Sequence, residues 1–127
     1  MKRKVITKEE LEQFLRKHKL WLEDKEGGER ADLSWANLSR ANLSGANLSR
    51  ANLDYSVLPL WCGSLKANFD DRQLIQITYH LVKAGLNSNN ASEEVKNELE
   101  KLINLANKFH RVGECGEIVK EGNNDRT

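Results

Sequence analysis

The chain has 127 residues, of which 39% are hydrophobic and 31% are charged, and its net charge is +1. This length predicts a single domain, residues 1–127, with a modest core. The near-zero charge argues against a broad nucleic-acid-binding surface and against a strongly acidic mimic of DNA. No apolar run approaches the roughly 18 residues of a membrane span, and the basic start lacks the apolar core of a secretory signal. We therefore expect a cytoplasmic protein whose cysteines, Cys62 and Cys115, are reduced.

The first predicted element is a helix over residues 7–22. Thr7 followed by Glu10 fits a capping box, in which the hydroxyl and the carboxylate each accept a hydrogen bond from a free amide. Five residues at helical spacing then define one face: Leu11, Phe14, Leu15, His18 and Trp21. The polar stretch EDKEGGER, residues 23–30, predicts the end of this helix.

A five-residue period follows. Alanine recurs every five residues, and leucine follows each alanine two places later. The pairs are Ala31/Leu33, Ala36/Leu38, Ala41/Leu43, Ala46/Leu48 and Ala51/Leu53. One small and one larger aliphatic residue at a fixed period predict a solenoid with a narrow interior. Ser56/Leu58 is a weaker sixth unit, and Phe69 of a later unit lies one residue out of register.

The stretch ADLSWANLSRANLSGANLSRANLDY, residues 31–55, resembles the pentapeptide-repeat family. That resemblance implies a right-handed, four-sided parallel β-helix in which each unit forms one side and its alanine and leucine point inward. The flanking stretches HKLWLED and LANKFHRVGEC resemble those of short bacterial and prophage members with helical flanks. They imply no activity. The resulting fold class is a mixed β-solenoid plus α, with a quadrilateral coil of about 1.5–2 turns over residues 30–70.

Solenoid ends expose open backbone and need covering. We expect the N-terminal helix to cap one end of the coil and a helical pair to cap the other. This pair is predicted over residues 71–112, because Asp70 or Asp71 and then Ser92 can cap two segments with helical apolar spacing. The second segment carries Val95, Leu99, Leu102, Ile103, Ala106 and Phe109. Residues 113–127 have little apolar content and predict a mobile tail.

The fifth residue of each unit is expected to face outward. With four units per turn, Trp35 and Tyr55 should stack on one side and Arg30 and Arg50 on another, with Arg40 also exposed. An aromatic pair left in water is unusual and favours a partner-binding or dimer face. The alternative is that the N-terminal helix or a loop covers it.

Candidate chemistry is sparse. Two thiols and two imidazoles, Cys62, His80, His110 and Cys115, are the ligand types of a tetrahedral zinc site, although no CxxC pair strengthens this hypothesis. The alternative is that all four are packing residues. We expect no cofactor, with zinc as the one alternative. No phosphate-binding loop or nucleophile elbow is present, and we expect no catalysis.

These observations predict a non-catalytic protein-interaction module with a protein partner, and a homodimer through the C-terminal helices or the aromatic face is an option. The prophage-like resemblance makes an inhibitor of a host defence or nucleic-acid-processing complex, in the manner of an anti-CRISPR protein, one sub-case. A zinc-stapled structural or accessory module is the alternative. A DNA-mimicking topoisomerase-binding role is disfavoured, because the coil is short and its surface is not acidic. We expect no membrane or direct nucleic-acid binding.

Overall fold

The structure is a computed structural model, and it describes residues 3–120. The chain divides into two compact units, Met1–Asp70 and Asp71–Thr127. This division falls where the repeat segment was expected to give way to the helical pair. Of the predicted tail, residues 121–127 lie outside the described part of the chain.

The first unit begins with a short strand, β1 (Lys4–Val5), and a helix, α1 (Lys8–Leu22). The Thr7 hydroxyl accepts a hydrogen bond from the Glu10 amide at 3.1 Å, and the Glu10 carboxylate accepts one from the Thr7 amide at 3.0 Å. The predicted capping box is therefore present. Leu11 and His18 are buried, whereas Phe14 is 36% exposed. The buried stripe is thus narrower than predicted.

The repeat segment pairs with itself in parallel. Asp32 bridges Asn52 and Asn37 bridges Val57, so each partner lies twenty positions further along the chain. The Leu33 amide donates to the Asn52 carbonyl, and the Asn52 amide donates to the Ala31 carbonyl. The second strand, β2 (Ala36–Asn37), also pairs in parallel with β1. The repeat segment therefore forms a short β-helix-like solenoid, and β1 pairs with its first turn as an added strand.

Two local hydrogen bonds recur in each unit. The carbonyl of each leucine accepts from the amide three residues later, which closes a tight turn. The Asn or Asp before that leucine accepts, through its side chain, from the amide two residues later, as Asn37 does from Ser39 at 3.1 Å. The same side-chain bond is made by Asp32, Asn42, Asn47 and Asn52. This Asx turn explains why nearly every unit reads A-(N/D)-L.

The interior of the coil is formed by the repeat leucines. Leu33, Leu43 and Leu48 are completely buried, and Leu38 and Leu53 are at most 5% exposed. The prediction that they point inward is confirmed. The alanines are less uniform: Ala31, Ala36 and Ala51 are buried, but Ala41 and Ala46 are only partly buried. Leu11 of α1 belongs to the same apolar cluster, so α1 packs on this core.

The regular register ends in the connection over residues 58–66. Asn47 bridges Asn68, which lies twenty-one positions further along, in place of twenty. The buried Ser64 hydroxyl lies 2.6 Å from both the Pro59 and Trp61 carbonyls and organises this connection. One extra residue is therefore accommodated in the loop, as the spacing of Phe69 predicted.

Over residues 71–120, the second unit has four helices: α2 (Asp71–Leu86), α3 (Glu93–Glu100), α4 (Ile103–Ala106) and α5 (Val112–Cys115). Ser92 caps α3 as predicted, by accepting from the Val95 amide. The second predicted helix is divided, however, because the chain leaves helical geometry at Leu102, where φ is −100° and ψ is 2°. Tyr79, Val82, Leu86, Ala106 and Phe109 form the buried cluster of this unit.

Residues 113–118, which fall in the predicted mobile tail, make specific contacts with the helices. Residues 113–115 belong to α5, and the Ile118 amide donates to the Asn107 side chain at 2.8 Å. The Tyr79 hydroxyl also donates to the Gly116 carbonyl at 2.6 Å. Low apolar content misled the prediction, because this segment is held by polar bonds to the helices and by Ile118.

Candidate functional site

Trp35 and Tyr55 form the central feature of the first unit's surface. Their rings stack with centroids 4.5 Å apart and an interplanar angle of 15°. The stack follows from the twenty-residue register, which places Tyr55 on the turn next to Trp35. The Trp35 amide donates to the carbonyl of Asp54, the residue before Tyr55, at 3.0 Å and so joins these two turns. Tyr55 is 40% exposed. The predicted ladder is present, and part of it faces solvent.

The N-terminal segment covers one side of this stack. The Arg3 guanidinium lies 5.9 Å from the centroid of the Trp35 ring, and Arg3 donates a hydrogen bond to the Tyr55 carbonyl. The Lys4 amide donates to the Trp35 carbonyl at 2.8 Å. The covering element is therefore the segment that contains β1, and it leaves the Tyr55 side accessible.

Both aromatic residues occupy an unfavourable backbone conformation. Trp35 and Tyr55 each have φ of 62°, and Arg50 has φ of 70°. Gly45 takes the equivalent corner with φ of 79°. Side chains cost roughly 1–2 kcal/mol in this region, whereas glycine enters it freely. Trp35, Arg50 and Tyr55 thus occupy backbone positions at which glycine would cost less conformational energy.

The three predicted surface arginines have different environments. Arg30 donates from Nε to the Arg50 carbonyl at 2.6 Å, so the expected vertical pair is formed. The Arg50 guanidinium lies 4.8 Å from the centroid of the Trp21 ring. Arg40 is exposed and lies beside a groove next to α1. Arg30 and Arg50 therefore help to hold the coil together, and Arg40 is free of such contacts among residues 3–120.

His18 connects α1 to the first turn of the coil. Its Nδ1 accepts from the Ala31 amide at 3.0 Å, and its Nε2 lies 2.8 Å from the Ser49 carbonyl. Because Nδ1 is an acceptor, Nε2 carries the proton and donates to that carbonyl. The ring is completely buried and stacks on Trp21. The sequence placed His18 on the buried face without revealing this bridging role.

The ionisation of Asp32 is shifted by its neighbours. Its carboxylate accepts from the Ser34 hydroxyl at 2.6 Å and from the Ser34 amide at 3.0 Å. The hydroxyl bond is the largest cause that lowers the pKa of Asp32, with smaller contributions from the amide bond and the charges of Lys4 and Arg30, against an opposing desolvation effect. Asp32 is therefore a stable anion at neutral pH, and its role is structural.

The four residues of the zinc hypothesis are divided between the two units. Cys62 is exposed in the connection of the first unit, whereas His80, His110 and Cys115 belong to the second. His80 and His110 each make an edge contact with the Phe109 ring. Among residues 3–120, no group of three or more His, Cys, Asp or Glu side chains is arranged to hold a metal ion. The structure gives the zinc site no support, and the site stays a prediction for metal analysis.

Sequence reasoning missed one exposed apolar feature. Leu60 is 87% exposed and Trp61 is 47% exposed, at the tip of the 58–66 connection. Two features of the sequence could have indicated these exposed residues: Pro59 and the loss of the five-residue period. Both predict a loop, and apolar residues in such a loop lie outside the core. Separately, no helix in the described part of the chain is long and apolar enough to cross a membrane.

Comparison with known proteins identifies the repeat segment. No curated protein and no solved structure matches the chain. The family model described as pentapeptide repeats (8 copies) matches residues 29–58. This is the segment in which the twenty-residue bridges and the buried leucines lie. Residues 29–58 of this chain are thus similar to the pentapeptide-repeat family.

Proposed function

We propose that this protein is a non-catalytic protein-interaction module and that its binding face is centred on the Trp35–Tyr55 stack. The observation that carries this proposal is the stacked aromatic pair, with ring centroids 4.5 Å apart and Tyr55 still 40% exposed. An aromatic pair that remains partly in water is unusual for a surface with no partner. Aromatic side chains are also the residues that most often anchor protein interfaces.

The rigid support for this face is proposed to be a right-handed, four-sided coil. The twenty-residue register of the Asp32–Asn52 and Asn37–Val57 bridges supports it, since four units of five residues fill one turn. The tight turn after each leucine supplies a corner. Such a coil holds Trp35 and Tyr55 in one column with little freedom, which reduces the entropy lost on binding.

A protein surface is the partner class that best fits this face. The net charge of +1 provides no strong field for a nucleic-acid backbone. A flat aromatic pair flanked by Arg3 suits an apolar patch with a nearby carboxylate. Within this class, the prophage-like flanks favour an inhibitor of a bacterial defence or nucleic-acid-processing complex.

The test replaces the aromatic residues with glycine. Trp35→Gly and Tyr55→Gly remove the rings while relieving the positive φ, so the fold of the coil should be retained. Partners captured from a bacterial extract would be compared between wild type and the double variant. Phe14→Ala is the matched control, because it removes another partly exposed aromatic ring of the same unit.

We expect the double variant to lose specific partners that the control retains. Tryptophan fluorescence and circular dichroism would show that the variant is folded. Equal capture by wild type and the folded double variant would refute the aromatic face as the binding site.

A second copy of this chain is a further proposed partner, favoured by one observation in the second unit. Leu74 is 48% exposed and Leu81 is 54% exposed on α2, and their spacing of seven places them on one helix face. Light scattering after size-exclusion chromatography would compare wild type with Leu74→Glu/Leu81→Glu. A dimer that becomes a monomer would support this interface, and a monomeric wild type would overturn it.

A further inference from the structure

The exposure of the repeat alanines differs along the first turn of the coil, and it shows which part of that turn no other segment covers. Ala31, Ala36 and Ala51 are at most 5% exposed, whereas Ala41 and Ala46 are only partly buried. All five belong to the same repeat position. The difference therefore arises from what lies over the coil and not from the repeat itself.

Two adjoining grooves lie at these two alanines, between α1 and the coil. The first, of about 620 Å³, is lined by Ile6, Leu15 and Ala41 among others. The second, of about 500 Å³, is lined by Leu15, Leu22 and Ala46 among others. Glu12 and Leu15 line both. Together they form one apolar trough along α1, which we call the α1 groove.

The coil edge in the α1 groove also presents backbone groups. Within residues 3–120, the main-chain amides and carbonyls of Asn42 and Asn47 have no hydrogen-bond partner. The neighbouring side of the same edge is occupied, because β1 pairs there in parallel through Lys4↔Ala36 and Val5↔Asn37. β1 stops because Thr7 begins α1. The next two sides of the coil, which follow the turns after Leu38 and Leu43, thus each present an unpaired backbone edge in the groove.

Charges around the α1 groove are mostly positive. Its cationic side chains are Lys8, Arg16, Lys19 and Arg40, and its carboxylates are Glu12 and Glu23. Glu23 is already paired with Lys25 at 3.1 Å. An extended ligand with acidic side chains would complement this rim, and alternate apolar side chains would fill the trough.

We propose that the α1 groove is a second binding site, which takes an extended acidic segment of a partner protein as an added parallel strand beside Asn42, on the side of the coil before the Leu43–Ala46 turn. The backbone of the segment pairs with Asn42, its apolar side chains contact Leu15, and its carboxylates lie near Lys8 and Arg40. This site is distinct from the Trp35–Tyr55 face and does not depend on it.

The experiment uses a fluorescent eight-residue peptide of alternating valine and aspartate as its probe. Binding to the full chain is measured by fluorescence anisotropy, and the contacted residues are located by amide chemical-shift changes. Three comparison peptides are used: one with lysine in place of aspartate, one with N-methylated valine amides and one with N-methylated aspartate amides. Since alternate residues of a strand face opposite edges, only one N-methylated peptide should lose binding.

The protein variants separate charge from position. Lys8→Glu/Arg40→Glu reverses two rim charges, and Lys108→Glu/Lys120→Glu makes the same net-charge change at exposed sites of the second unit. Tyr55→Gly tests independence from the aromatic face.

We expect saturable binding of the acidic peptide, with shifts at Ala41, Asn42 and Leu15. Loss of the backbone pairing or of the two rim charges should each weaken affinity by about tenfold or more. The second-unit variant and Tyr55→Gly should bind like wild type. Absence of saturable binding, equal binding of the lysine peptide, or unchanged binding of both N-methylated peptides would overturn the proposal.

Discussion

Four of the five regular units end in residues that share a backbone conformation and differ in side chain, and Arg40 is the exception. Trp35, Gly45, Arg50 and Tyr55 have φ between 62° and 79°. Each follows a leucine whose carbonyl accepts from the next unit's first amide, as in the bond from Ala46 to Leu43 at 3.0 Å. Positive φ at the third residue of such a turn defines type II geometry, which glycine enters at no steric cost.

Gly45→Ala tests this corner. A Cβ at Gly45 would meet nothing within 4 Å, so the cost of the substitution is conformational and not steric. We expect a loss of about 1 kcal/mol in the free energy of unfolding. Urea denaturation followed by tryptophan fluorescence would measure it, because Trp21, Trp35 and Trp61 all belong to the first unit. Ser44→Ala, in the same turn, should change little, and an equal loss in both variants would contradict the argument.

Asp32→Asn separates the carboxylate charge from the turn geometry. Asparagine keeps the acceptor for the Ser34 amide, as Asn37 does for Ser39. Because the Ser34 bonds lower the pKa of Asp32 in the folded state, its stabilisation is present above the usual aspartate pKa of about 3.9 and is lost as the pH falls through the lower folded value. Below about pH 4 we therefore expect the wild type to lose more stability than Asp32→Asn. Urea midpoints at several pH values would check this, and parallel pH profiles would count against it.

At the scale of elements, His18 determines how α1 sits on the coil. It satisfies the Ala31 amide and the Ser49 carbonyl from within the core. His18→Leu leaves both buried groups without a partner, which should cost about 2–4 kcal/mol. His18→Gln offers one donor and one acceptor and should recover part of that loss. Denaturant midpoints of the first unit would measure both, and equal losses would mean that the ring acts through packing alone.

Tyr79 performs a comparable task in the second unit. Its hydroxyl donates to the Gly116 carbonyl and accepts from Lys83 Nζ at 3.1 Å. Tyr79→Phe keeps the ring in the cluster and removes these bonds, so we expect a loss of about 1–2 kcal/mol and faster amide exchange over residues 112–118. Thr78→Ala removes only a bond to the Leu74 carbonyl in the same helix and should be nearly neutral. Unchanged exchange in Tyr79→Phe would disprove this anchoring role.

How far the sequence predicts this structure depends on whether a feature is periodic. The five-residue period predicted the buried leucines, the Trp35–Tyr55 stack and the register shift before Phe69, because a fixed repeat determines which residues are neighbours. The cap of α1 followed from a local motif. Three features have no local signal in the sequence: the pairing of β1 with the coil, the bridge made by His18, and the break between α3 and α4. The first two depend on contacts between segments that share no repeat pattern.

At the scale of the whole molecule, the candidate surfaces are distributed by unit. The Trp35–Tyr55 stack and the α1 groove belong to Met1–Asp70, whereas the exposed leucines of α2 belong to Asp71–Thr127. Each unit has its own apolar cluster. The α2 variants therefore change the second unit, whereas the aromatic and α1-groove variants change the first.

The twenty-residue register also makes the coil extendable. A duplicate of residues 31–50 grafted after Arg50 would supply one more layer with the same pairing, and both partners of His18 would remain in the original layer. We expect this lengthened protein to fold with a denaturation midpoint at least equal to that of the parent. A graft of fifteen residues would misalign the layers and should fold poorly. Circular dichroism during thermal denaturation would compare them, and success would turn this small coil into an adjustable spacer whose aromatic column gains one tryptophan with each added layer.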